Sequence, residues 1–422
     1  MVTLSELTRT FARIGCLSFG GPAAQIALMH RTLVDEKKWL TEKDYLSALS
    51  FCMLLPGPEA MQLATWSGWR LHGTLGGLIA GLLFVLPGAL VVLALAAVYA
   101  GFGAVPLVQA LFLGVQAAVA VIVIEALIRV SRRALKGRGA YAIAAMAFVA
   151  LFFFNLPFPV VILAAGLWGF VRATETVVGD RPPAPSLRAT AGTVLIWAAI
   201  WLLPLAALLL FEDGLLAEIG VFFSKLAMLT FGGAYAVLAW MAQAVVQEKG
   251  WLTLAQMMDG LGLAETTPGP LILVTEFVGF MAGHRQGGWA LGLAAAGVTL
   301  WMTFAPCFLW IFAGAPWIAR LTSAPRLSGA LSAIMAAVVG VIANLSLWFA
   351  LHVLFGRVED VTFGPLHVIW PDLATVKPVA LVLGLLAGWL LLIRHWPLVM
   401  VLALSAILSA LWSVLPLAAA IG

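Results

Sequence analysis

The stretch FARIGCLSFGG at residues 11–21 returns 212 positions later as FSKLAMLTFGG at 223–233. DEKKWLT at 35–41 returns as QEKGWLT at 247–253, and PGP at 56–58 returns as PGP at 268–270, all at the same offset. From Phe11 to Pro58 the two copies align without a gap, and 18 of 48 positions are identical. Glycine, proline and tryptophan are matched together, which a merely apolar composition would not produce. The chain is a duplicated unit. Beyond the second PGP the match drifts, with Pro87 and Pro306 in similar places.

The rest of the sequence says what kind of unit it is. Of 422 residues, 63% are hydrophobic and only 10% are charged. Soluble proteins carry about 25% charged residues, so this chain cannot cover a soluble fold of its size. Stretches 77–100, 105–124 and 327–355 hold no Lys, Arg, Asp or Glu, and apolar runs of about 20 residues cross membranes. The fold expected is an all-α polytopic membrane protein with two homologous halves. Residues 1–171 form the N-terminal repeat, 172–212 a linker and connecting helix, and 213–422 the C-terminal repeat. MVTLSELTRTFARIG lacks the apolar core and cleavage site of a signal peptide. Cys16, Cys52 and Cys307 stand in apolar surroundings and read as buried thiols.

Thirteen spans are expected: 11–30, 46–69, 74–100, 105–128, 139–154, 157–171, 190–211, 217–245, 257–282, 287–314, 327–354, 377–393 and 397–420. The basic loop Arg129–Arg138 belongs inside by the positive-inside rule. The N-terminus is then cytoplasmic, the C-terminus periplasmic, and the single helix 190–211 inverts the second half. Arg31, Lys37, Lys38 and Lys43 fall outside on this count and conflict with the rule. A rival reading makes 46–69 and 257–282 re-entrant hairpins broken at PGP. Duplicated halves with substrate between them are common in secondary transporters.

The repeated motifs suggest where an anion would bind. Pro-Gly-Pro cannot sustain a helix, and irregular backbone at membrane depth survives only when buried in protein or lining a polar cavity. A helix restarting after Gly57 or Gly269 offers free N–H groups and a positive dipole end. Its plain alternative is a kink that shapes the bundle. Gly20–Gly21 and Gly232–Gly233 either allow close helix packing or break the helix to expose backbone donors. Ser18 and Thr230 precede them; their hydroxyls either face a polar site or bond back to their own helices. Arg13 and Lys225 are duplicated cations, suited to an anion or merely snorkelling. Gln62 offers an uncharged donor. Glu59, Glu265 and Glu276 are carboxyls within spans, costly unless paired or wet; burial favours the neutral form, so they are candidates for proton coupling, or else partners of a nearby Arg or Lys. Thr41 and Thr253 read as helix caps, with Asp44 and Gln256 three residues on. The sequence holds no GxxxxGK[ST] loop, no GxSxG and no His/Cys cluster with metal spacing. No cofactor, metal or nucleic acid is expected, and a membrane-embedded enzyme is the weak alternative.

FGGP (19–22), EKKWLT (36–41), PGP (56–58), MQLA (61–64) and FVLPG (84–88), with FGGAYAVL (231–238), EKGWLT (248–253) and TPGP (267–270), resemble the chromate ion transporter family. The resemblance spans the chain and matches the long, two-domain members. It implies chromate efflux and chromate resistance in a bacterial inner membrane, with sulfate as the look-alike anion, and oppositely oriented halves. Three readings stay open: a chromate exporter, a transporter of sulfate or another anion, and a non-transporting membrane enzyme or subunit. A homodimer is compatible with each. The second copy departs at Ala234, where the first has Pro22, and in LILVTEF, where the first has EAMQLATW.

Overall fold

A computed structural model describes residues 2–173, 185–211, 214–231, 234–322, 324–364 and 366–414. The fold is all-α and polytopic, as expected, with one small addition. Helices α1 (Leu4–Leu17) and α2 (Gly21–His30, prolonged by a π-turn over Arg31–Glu36) are followed by α3 (Glu42–Cys52) and α4 (Glu59–Phe102). Next come α5 (Pro106–Ala134), α6 (Arg138–Phe152), α7 (Phe158–Arg172) and α8 (Leu187–Phe211). The second copy contributes α9 (Leu215–Leu229), α10 (Ala234–Gln243), α11 (Leu254–Glu265) and α12 (Val274–Gly314). α13 (Ile318–Thr322), α14 (Pro325–Leu354), α15 (Pro378–Gly388) and α16 (Leu398–Val414) complete the helices. The addition is an antiparallel hairpin of β1 (Val358–Phe363) and β2 (Leu366–Pro371), which pairs Val358 with Pro371 and Phe363 with Leu366.

Among the described residues, five helical segments are long and apolar enough to cross a membrane. Two of them are helical hairpins. α4 turns at His72–Gly73, where Gly73 has φ +60 and ψ −155. Its arms pack so tightly that a Cβ on Gly68 would strike the Gly76 carbonyl. α12 turns at Gly287–Gly288, with Gly288 at φ +70 and ψ −158, and Gly279 and Gly283 pack on Ala295, Thr299 and Leu291. Small residues let helix backbones approach this closely. The second arms, 74–102 and 289–314, are roughly 40 Å long at 1.5 Å per residue.

The chain gathers into two compact units. One holds 1–96, 170–237 and 267–331; the other holds 97–169, 238–266 and 332–422. Within the first unit the N-terminal segments double back. Lys37 Nζ lies 3.3 Å from the Glu6 carboxylate, so α2 and its π-turn return to the end from which α1 started. His72 Nε2 bonds the Val2 carbonyl at 2.7 Å, fixing the α4 turn at that same end. The α3–α4 junction behaves alike. Phe51 abuts Gly314, Gly57 abuts Cys307, and Thr65 and Phe312 both abut Gly77. Measured along α12, the chain advances from the level of 314 to that of 307 and then returns.

Four of the expected spans are broken, two at PGP as that motif suggests and two beside FGG. The stretches 11–30, 46–69, 217–245 and 257–282 are each interrupted, at 18–20, 53–58, 230–231 and 266–273. The physical cause lies in the sequence. Gly20 takes φ +85 and Gly21 φ +77, and the prolines of PGP remove N–H donors that a continuing helix needs. Helices α1, α3 and the first arm of α4 span about 15–20 Å each, which is short of a bilayer core. Thr41 and Thr253 cap α3 and α11 as their spacing suggested, and Thr253–Gln256 is a full capping box.

Candidate functional site

The breaks of the two copies meet inside the first unit and exchange hydrogen bonds. Gly57 N–H donates to the Thr230 carbonyl at 2.7 Å, and Gly269 N–H donates to the Ser18 carbonyl at 2.8 Å. The PGP of each copy thus grips the end of the FGG-preceding helix of the other. A second reciprocal contact supports the first. Cys307 lies beside Gly57, while Gly88 lies so close to Pro268 that a Cβ there would strike the Pro268 carbonyl. Both partners directly follow a proline, Pro306 and Pro87. Reciprocal contacts of this form are what a local two-fold relation produces.

Glycine is required at both breaks. Gly57 has φ +124, and a Cβ there would stand 2.6 Å from Gln62 Nε2 and 2.9 Å from Cys307 Sγ. Gly269 has φ +90, and its Cβ would approach Leu273 Cδ1 to 3.0 Å. Neither conformation suits an L-residue with a side chain.

The side chains around the breaks are buried and polar. Gln62 donates from Nε2 to the Pro56 carbonyl at 2.7 Å. Gln25, which the sequence reading passed over, donates to the Gly269 carbonyl at 2.6 Å and to the Ser18 carbonyl at 3.2 Å. With both amide nitrogens so engaged, the Gln25 and Gln62 side-chain oxygens are left buried without hydrogen-bond partners. Glu276 Oε2 and Thr303 Oγ1 are likewise buried and unpartnered. Glu276 and Thr303 continue the α12 hairpin interface: Gly279 packs on Thr299, and each residue lies about one turn further along its arm. Glu59 opens α4 directly after PGP and Glu265 closes α11 directly before it; both are buried.

The other expected site residues are placed as follows. Ser18 Oγ donates to the Ile14 carbonyl and Thr230 Oγ1 to the Leu226 carbonyl, each at 2.6 Å, so both hydroxyls bond back to their own helices. Their carbonyls, rather than their hydroxyls, reach the opposite copy. Gly20, exposed, caps α2 and Gly21, half-buried, starts it. Gly232 and Gly233 lie outside the described residues. Arg13 and Lys225 point from exposed faces of α1 and α9. Cys16 is also exposed, because it lies on the Arg13 face of α1, whereas Cys52 and Cys307 are buried.

The chromate transporter family model matches residues 5–170 and again 217–411, and the two starts differ by 217 − 5 = 212, the repeat offset. This chain belongs to the chromate transporter family. It is 33% identical over 341 residues to a chromate transport protein of Cupriavidus metallidurans, covering 81% of each chain. It is 33% identical over 402 residues to a chromate transport protein of Pseudomonas aeruginosa, covering 91% of this chain and 92% of that one. A probable chromate transport protein of Synechococcus elongatus is 30% identical over 361 residues. No solved structure matches. The family is one of membrane transporters, and both matched stretches contain the FGG and PGP breaks.

Proposed function

We propose that this protein exports chromate across a bacterial inner membrane, driven by the membrane potential, and so confers chromate resistance. The observation that carries the reading is the reciprocal grip of the two breaks, Gly57 on Thr230 and Gly269 on Ser18. Two interrupted elements, one from each copy, meet in a buried place, which is how transporters build a site for an ion. Similarity to three proteins named for chromate transport supports the substrate.

The proposed topology follows from the doubled-back segments. The segments 4–36 and 42–71 are re-entrant hairpins with tips at FGG and PGP. The second arm of α4 leaves their end and α5 returns to it. Arg31, Lys37, Lys38, Lys43 and Arg70 then share a side with the Arg129–Arg138 loop, which removes the conflict with the positive-inside rule. Nine crossings remain: the second arms of α4 and α12, with α5, α6, α7, α8, α14, α15 and α16. Nine is odd, so the N-terminus is cytoplasmic and the C-terminus periplasmic. α8 carries the second copy to the far side, where its segments enter inverted. The far side bears Lys249, Arg285, Arg357 and Lys377.

In the proposed site a tetrahedral dianion is held by backbone. Gly57 and Gly269 shape the tips, and the first-turn N–H groups after Gly20–Gly21 and after PGP have no partner within their own helices. Such donors bind anions without a permanently buried cation. Gly232 and Gly233 take the corresponding role in the second copy. Gln62 donates from the flank. Ser18 and Thr230 act through their carbonyls, as the links between copies. Arg13 and Lys225 steer the anion toward the tips rather than touch it. Glu59, Glu265 and Glu276 must be neutral or paired for a dianion to enter, because like charges repel strongly where water is scarce. Sulfate has the same shape and charge and is the natural competitor.

The potential favours the exit of a dianion by about 4.6 kcal/mol per 100 mV, twice the value for one charge. The test is uptake of labelled chromate by inverted vesicles carrying this protein. Uptake that rises with an imposed inside-positive potential is expected. Uptake equal to that of empty vesicles would sink the export reading.

A further inference from the structure

The second compact unit holds a buried acid that the proposed site does not use. Asp259 on α11 is 3% exposed. Tyr99, in the last turns of α4, donates its hydroxyl to Asp259 Oδ2 at 2.7 Å. Gln116 on α5 donates Nε2 to Asp259 Oδ1 at 2.9 Å. Both carboxylate oxygens are thus held by neutral donors, and no cation faces the acid among the described residues. An ionisable group inside a membrane bundle is costly, and its presence points to function by default.

The surroundings are polar without being charged. On α5, Gln116 faces Asp259, and the next ionisable group on that helix is Glu125, which pairs with Arg129 at 2.6 Å. α16 packs against both α5 and α11 and carries no ionisable side chain. Its Ser405 backbone lies against Gly114, two residues before Gln116. The hydroxyls of Ser405 and Ser409 are both buried and without hydrogen-bond partners. Unpartnered buried hydroxyls are rare, and these two lie on a helix that packs against both α5 and α11. The other ionisable group on α11 is Glu265, at its C-terminal end. Asp259 has no twin in the first copy, because the 212-residue offset places it on Ser47.

We propose that Asp259 is a proton-exchange site that couples chromate exit to proton entry; the proposal rests on the transport reading above. The carboxylate accepts hydrogen bonds from Tyr99 and Gln116 together. Once protonated, it has its own O–H to donate, so either the Tyr99 bond reverses, with the phenol oxygen accepting, or the Gln116 amide, which can only donate, gives up its bond. Binding or releasing one proton therefore changes how α11 is held by α4 and α5. Four residues after Glu265 closes α11 the chain reaches Gly269, which bonds Ser18 at the first break. The helix that senses the proton is thus the helix that carries a substrate-site break. A group lacking a twin in the first copy suits this task, because coupling needs the two conformations to differ in proton affinity.

The experiment uses the full-length protein in inverted vesicles, whose lumen corresponds to the periplasm. At fixed membrane potential, an acid lumen should raise chromate accumulation, by up to about tenfold per pH unit for one proton exchanged. Asp259→Asn should keep potential-driven uptake but lose the response to the pH gradient. It should also lose the lumenal alkalinisation that a pH-sensitive dye reports during uptake. Asp259→Glu should keep both. If Asp259→Asn fails to reach the membrane, Tyr99→Phe and Gln116→Leu serve instead, and each should displace the pH at which the response is half-maximal. The proposal is overturned if Asp259→Asn responds to the gradient like the unsubstituted protein. It is equally overturned if the unsubstituted protein takes up chromate without any such response, or if both donor variants leave the half-maximal pH unmoved. No uptake by the unsubstituted protein overturns the transport reading itself.

Discussion

Gly57 and Gly269 are the positions where sequence, conformation and proposed function coincide most closely. Each combines a positive φ with a backbone N–H that holds the other copy. A side chain in such a conformation costs on the order of 1–3 kcal/mol, and at Gly57 it would also displace Gln62 and Cys307. Gly57→Ala and Gly269→Ala are therefore expected to cut chromate uptake by roughly tenfold or more, since about 1.4 kcal/mol corresponds to tenfold, while membrane levels persist. Initial rates in inverted vesicles, normalised to immunoblotted protein, measure this. Near-normal rates would remove the breaks from the site. Arg13→Gln is expected to weaken apparent affinity more than maximal rate, because an exposed charge steers. Unchanged affinity in both Arg13→Gln and Lys225→Gln would leave these cations as surface residues. The glycines were legible in the sequence because Pro-Gly-Pro and Phe-Gly-Gly recur at one offset. Gln25 was not, because an amide in an apolar helix looks alike whether it faces lipid or a carbonyl 244 residues away. Asp259 gave a usable signal, an acid within the otherwise apolar MMDGLGLA, and the reading passed it by.

The helices show where hydropathy stops being informative. A run of about 20 apolar residues is the length of one span, and also the length of two half-helices with a turn between them. The segments 11–30 and 46–69 are of the second kind, and only contacts such as Lys37 with Glu6 separate the two cases. The conflict of Arg31, Lys37, Lys38 and Lys43 with the positive-inside rule is removed if these segments are re-entrant, as proposed. In a background without Cys16, Cys52 and Cys307, Lys38→Cys and Gly137→Cys should react with an impermeant maleimide from the same, cytoplasmic side. Gly250→Cys should react from the opposite side. Labelling of positions 38 and 137 from different faces would restore the unbroken spans. The hairpin arms make a separate demand. Gly68 has no room for a Cβ against the Gly76 carbonyl, so Gly68→Val should force the α4 arms apart. Overpacking of this kind costs about 1–3 kcal/mol and should appear as a lower melting temperature of the detergent-solubilised protein. An unchanged melting temperature would mean the arms can part freely.

The whole chain is a duplicated helical unit whose copies grip one another through their irregular segments. The duplication, the all-α membrane class and the family were readable from the sequence, because repeats and apolar runs are local patterns. The reciprocal bonds were not, because they join residues that only folding brings together. On the proposed topology, tips that hold each other would give alternating access a physical basis: breaking one reciprocal bond while keeping the other would make the two faces inequivalent. The central claim is that this assembly carries chromate outward. The most direct measurement is time-resolved accumulation of labelled chromate in inverted vesicles, with sulfate as competitor and an imposed inside-positive potential. Saturable uptake is expected, accelerated by the potential, inhibited by sulfate and cut roughly tenfold or more by Gly57→Ala. Uptake no greater than in vesicles lacking the protein, or uptake indifferent to Gly57→Ala, would contradict the claim.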